Sequence, residues 1–154
     1  MNIAFFLLGV GTGALAIGLN RYSHPGHNTA SALLGVSGFT IFIAGLFNTY
    51  PSGQELPTAA PGFIHFIAVT CSMLTVLIAA FVLSGRLRHY LHWDGLARVM
   101  LWWAIVMLAS MSIHVATGET AIAGLLQRIY VVVVVGWLLF VANLLRVGER
   151  RHLN

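Results

Sequence analysis

The sequence predicts an all-α fold: a polytopic transmembrane helical bundle of five transmembrane helices, with the N-terminus outside and the C-terminus cytoplasmic. Three observations predict it. Hydrophobic residues make up 58% of the 154 and charged residues only 8%, too little polar surface for a water-soluble domain of this size. The apolar residues gather into five runs that suit a hydrocarbon core about 30 Å thick. There is no lysine, and seven of the eight arginines stand where apolar runs end on one side. In lipid no water satisfies the backbone, so runs of this kind form helices.

The first element, Asn2 to Leu19, has no basic segment before it, meets its first charge at Arg21 and lacks a small-residue cleavage site between Asn20 and Asn28. It reads as a retained helix and not as a cleaved signal peptide. Thr29 to Asn48 is the second. The loop from Tyr50 to Pro61 holds Pro51, Gly53, Pro57 and Pro61, so it reads as a turn-rich cap. Gly62 to Ser84 and Leu96 to Val115 follow. The fifth run, Thr120 to Leu145, is long enough to tilt or protrude. No connection is long enough for a soluble domain, and residues 1–154 read as one transmembrane domain.

The charges orient these elements. Arg21 follows the first span, Arg86 and Arg88 follow the third with Arg98 just beyond, and Arg146, Arg150 and Arg151 follow the fifth. The opposite loops carry Glu55 and Glu119 and no basic residue. The positive-inside rule then sets the arginine side in the cytoplasm and implies a multi-pass protein of the cell inner (cytoplasmic) membrane. The formal charge of +4 does not indicate nucleic acid, because the arginines flank apolar spans and form no basic face. The single cysteine, Cys71, excludes an internal disulfide or a cysteine-cluster metal site.

Small residues indicate how the helices pack. Gly9 and Gly13 are four apart in the first span, with Gly11 and Gly18 nearby, and Ser31, Gly35, Gly38 and Gly45 form a stripe on the second. Such spacing lets backbones approach where lipid supplies no hydrophobic drive for association. Packing within the bundle and docking of another subunit are the two uses for it.

Polar residues collect at the outer end. On the third span His65, Ala68, Ser72, Thr75 and Ala79 recur at steps of three and four, giving one small, polar face. Ser110 and His114 share a face of the fourth span, which puts His114 near the depth of His65. Gln127 and Arg128 stand about two turns in from Glu119. Arg128 inside hydrocarbon requires a partner: Glu119 or Glu55 in a structural clamp, loop carbonyls, a lipid phosphate, or a quinone-like carbonyl.

His65 and His114 are either hydrogen-bonded structural groups or ligands to a metal, a haem or a chlorin. Two histidines make an incomplete zinc site unless Glu55 or Glu119 joins them. No compact metal motif, nucleophile elbow, phosphate loop or paired-carboxylate motif is present, so no catalytic residue is assigned. On the cytoplasmic side His24, His27, His89, His92 and His152 accompany the arginines, and Arg86 and Arg88 beside His89 and His92 suit anionic headgroups. Tyr90, Trp93, Trp102 and Trp103 suit interfacial anchoring near the start of the fourth span, with Trp102 and Trp103 partly entering the core.

Gly45-Leu46-Phe47-Asn48-Thr49-Tyr50-Pro51 after a glycine-rich span, Gly62-Phe63-Ile64-His65 opening the next helix, and Gly124-Leu125-Leu126-Gln127-Arg128-Ile129 in the last carry a resemblance to the DUF998 family of bacterial and archaeal membrane proteins. The likeness runs over most of the chain in the same motif order. Members usually have about six spans, so the resemblance implies a five-helix version lacking the usual first span. It also implies that Pro51, Gly62, His65, Gln127 and Arg128 are the recurring outer-end residues. It names no substrate or reaction.

The first functional expectation is an accessory or structural subunit of a larger membrane protein complex, surrounded by membrane lipids and other integral membrane subunits, and ordering lipid or pigment. The small size and the absence of any extramembrane domain point to it. The alternatives are a membrane-embedded enzyme or transporter using the outer cleft around His65, His114, Glu119 and Arg128, and a redox subunit binding haem, chlorin or quinone.

Overall fold

Five α-helices carry the chain: α1 (Asn2–Tyr22), α2 (Asn28–Leu46), α3 (Ala60–Leu87), α4 (Asp94–Thr117) and α5 (Ala123–His152). The structure is a computed structural model and describes residues 2–22, 28–47, 60–87, 94–117 and 122–152. Each helix contains a stretch long and apolar enough to cross a membrane: Ile3–Arg21, Thr29–Leu46, Pro61–Leu87, Gly95–Thr117 and Ala123–Val147. Among the described residues the protein is therefore all-helical, with five helices long and apolar enough to cross a membrane, as the composition and run lengths predict.

The helix ends depart from the apolar runs in instructive ways. α1 continues past Leu19 through Arg21, and α5 continues past Leu145 to His152. Hydropathy records where lipid stops, whereas the backbone ladder continues into the interface. Arg21 in the last turn of α1 faces the negative end of the helix dipole. α3 opens at Ala60, so Pro61 lies in its first turn, where its missing N–H is one of the donors a helix leaves unbonded anyway. α5 opens at Ala123, later than Thr120, after a turn in which the Ile122 carbonyl accepts from the Leu125 and Leu126 amides.

The chain divides into two compact units, Met1–Ala79 and Ala80–Asn154. In the first, α1 and α2 pack with their backbones in contact. A Cβ built on Gly9 would stand 2.8 Å from the Gly38 carbonyl oxygen, and one on Gly38 would stand 2.8 Å from the Gly13 nitrogen. Only glycine permits that approach. The crossing is pinned on either side: Ser31 Oγ donates to the Ala16 carbonyl at 2.8 Å, and the Phe6 and Phe42 rings pack with centroids 5.0 Å apart. Gly45 leaves room for Phe5 and Phe6. Gly11 meets nothing and has no part in it. Of the two uses for the glycine stripes, packing within the protein is the one this unit displays.

The face of α3 bearing His65, Ala68, Ser72 and Ala79 is buried. Ala68 joins Ile41 and Ala44 in a small core with Phe5, Leu8, Ile43 and Val69 around it. Ser37 and Ser72 form a reciprocal clasp between α2 and α3: each hydroxyl reaches the other residue's carbonyl, at 3.2 and 3.1 Å, with the two oxygens 3.0 Å apart. Thr40 and Thr75 bond to carbonyls of their own helices, which keeps hydroxyls satisfied where no water is present.

In the second unit, Ala97, Met100, Ala104 and Met107 form the buried stripe of α4, and Tyr130, Val134, Trp137 and Val141 that of α5. α4 and α5 pack side by side, the Trp103 indole lying over Gly136, where a Cβ would come within 2.9 Å of the ring.

Candidate functional site

A buried polar contact of the first unit is built on the end of α2. A helix leaves its last carbonyls without amide partners, and in lipid those acceptors must be met by protein. His65, five residues into α3, is 7% exposed and meets them: its Nδ1–H donates to the Ala44 carbonyl at 2.8 Å and to the Phe47 carbonyl at 2.9 Å. Both neighbours are acceptors, which places the proton on Nδ1 and leaves Nε2 with the lone pair in the neutral ring. Phe5 of α1 meets the imidazole edge-on, ring centroids 5.6 Å apart. His65 thus joins α1, α2 and α3 at one point. This is the hydrogen-bonded structural role among the expectations. The arrangement is also the one in which a ligating histidine is held.

His114, Gln127 and Arg128 lie in the second unit. His114, in the last turn of α4, is half-buried, and its Nδ1 is buried with no hydrogen-bond partner among the described residues. The Trp103–Gly136 contact fixes the register of the α4–α5 pair. His114 is eleven residues beyond Trp103 and Leu125 eleven before Gly136, close to three turns in each helix, so His114 comes level with the first turns of α5. Gln127 there is half-buried and Arg128 is exposed. His114, Gln127 and Arg128 therefore share one end of the second unit, while His65 belongs to the first.

Arg86 is half-buried near the end of α3. Glu55, Glu119, Arg88 and Trp93 lie outside the described residues, as do Pro51, His24, His27, His89, Tyr90 and His92. His152 ends α5. Among the described residues no group of three or more histidine, cysteine, aspartate or glutamate side chains is placed to hold a metal ion.

Trp137 escapes the sequence reading. It is 0% exposed and among the described residues its indole N–H has no hydrogen-bond partner, although it stands in a valine-rich run far from either helix end. Tryptophan patterning directs attention to interfaces, and only the spacing of Trp137 with Tyr130, Val134 and Val141 marks it as interior.

A family model described as "Protein of unknown function (DUF998)" matches residues 1–143. No curated protein and no solved structure matches the chain.

Proposed function

The chain belongs to the DUF998 family, and from that premise we propose that it acts as an accessory subunit of a larger membrane assembly, filling space between other integral membrane subunits and ordering lipid beside them. The proposed setting is the cytoplasmic (inner) membrane, with the arginine-bearing ends on the cytoplasmic face and the N-terminus opposite.

One observation carries the subunit reading. Trp102 is 66% exposed, although it is the eighth residue of the span Gly95–Thr117 and so stands about 10 Å inside the span's end. An indole N–H at that depth has no water to bond, and tryptophan normally keeps its polar end at the interface or on a protein acceptor. Ala109 and Ala116 continue the Trp102 face at seven-residue steps, with Ser112 beside them, and all three are exposed. A large ring followed by small residues is a surface suited to a neighbouring helix. Of the five spans, α4 has the smallest buried share.

The test is purification in mild detergent with co-purifying proteins identified by mass. Stoichiometric integral membrane partners support the reading, and their release by Ala109→Phe with helicity unchanged would assign the α4 face. A monodisperse protein active alone would overturn it.

A second reading, pigment or haem binding, is favoured by His65 alone. Its Nδ1–H is fixed on two carbonyls, and the Nε2 lone pair suits the metal of a haem or chlorin, or a quinol hydroxyl. An absorption band lost on His65→Ala supports the metal-macrocycle form; a colourless preparation removes it.

A further inference from the structure

We infer that Arg128 and the apolar strip that continues from it along α5 form a seat for one anionic glycerophospholipid, the guanidinium holding the phosphate and the strip an acyl chain. The inference deepens the lipid-ordering part of the proposed function and rests on α5 crossing a membrane, not on the existence of a partner subunit.

Arg128 is the sixth residue of the span Ala123–Val147, about 7.5 Å inside its end. It is exposed, and among the described residues it has no ion-pair or hydrogen-bond partner. Turning inward is closed to it, because the buried face of α5 is occupied by Tyr130, Val134 and Trp137, and Tyr130 lies about 200° around the helix from Arg128. A cation on the lipid-facing side at that depth reaches back along its flexible stem toward the interface, where lipid phosphates lie.

The surroundings are ordered like the lipid itself. One turn toward the helix end, Gly124 shares the face of Arg128, and a Cβ there would meet nothing within 4 Å, so the backbone is open to a headgroup. One turn the other way Val132 is 70% exposed, and two turns further Leu139 is 66% exposed. Val132 stands about 13.5 Å inside the span's end, close to the mid-plane of a hydrocarbon core about 30 Å across, so the surface from Arg128 to Val132 lies within one leaflet and Leu139 continues it beyond. Open space, a positive charge and exposed aliphatic surface thus follow one another on one strip. A positive charge favours a headgroup of net negative charge over a zwitterion, whose own cation competes for the phosphate.

The experiment uses the full chain in lipid nanodiscs containing either phosphatidylglycerol or phosphatidylcholine with a photoreactive headgroup, at equal mole fraction. Adducts are mapped by mass spectrometry. Phosphatidylglycerol is expected to label residues 122–130, with at least about a tenfold loss in Arg128→Gln and retention of most labelling in Arg128→Lys. Gly124→Phe, whose Cβ would enter open space, is expected to lower labelling as well. Undiminished labelling in Arg128→Gln or Gly124→Phe, or equal labelling by phosphatidylcholine, would overturn the inference. If Arg128→Gln does not fold, Gly124→Phe and the phosphatidylcholine arm still decide it. Loss of the lipid site with a partner still co-purifying sinks this inference alone, whereas a lone protein that keeps the lipid sinks only the subunit reading.

Discussion

The His65 imidazole of α3 donates to the Ala44 carbonyl of α2 across 2.8 Å, so a side chain of one helix completes the backbone bonding of another. The same N–H is shared with Phe47. Removing it leaves two carbonyls without a donor where lipid offers none. His65→Ala is expected to destabilise the protein by about 1–3 kcal/mol, the range for stranding buried polar groups. Reversible unfolding in mixed detergent, followed by helicity, measures it; a change below about 0.5 kcal/mol would mean that the contact does not hold the α2 end.

The α1–α2 crossing makes a sharper prediction, because neighbouring glycines should differ. Gly9→Ala and Gly38→Ala each drive a methyl against backbone at 2.8 Å, and each is expected to cost about 1–3 kcal/mol as overpacking. Gly11→Ala meets nothing and is expected to be neutral or stabilising by up to about 1 kcal/mol through helix propensity. Equal effects at the three positions would disprove this crossing.

The Ser37–Ser72 clasp is testable as a pair. A double-mutant cycle with Ser37→Ala and Ser72→Ala is expected to give a coupling of about 0.5–1.5 kcal/mol, near the average for polar pairs between membrane helices or somewhat above it. Additive single effects would show that the hydroxyls do not interact.

The proposed topology, with five crossings and the arginine-bearing ends in the cytoplasm, puts the two chain ends on opposite faces of the membrane. In a Cys71→Ala background, Asn2→Cys is expected to react with an impermeant maleimide added outside intact cells, and Arg151→Cys only after permeabilisation. Both reacting from one side would contradict an odd number of crossings, and the reverse pattern would contradict the arginine rule.

Five apolar runs, their approximate limits and the one-sided arginines are properties of the sequence alone, because the length of a run and the charge at its end fix which residues lipid accepts. The small, polar face of α3 was legible too, from helical periodicity. Tertiary structure decided the rest: that Gly9, Gly13 and Gly38 meet while Gly11 stays open, that His65 serves the carbonyls of α2, that Trp137 is interior, and that Arg128 looks outward. The reason is the solvent. Lipid is as apolar as a protein core, so a membrane helix carries little contrast between its inner and outer faces, and how each helix is turned about its own axis is set only when it meets its neighbours.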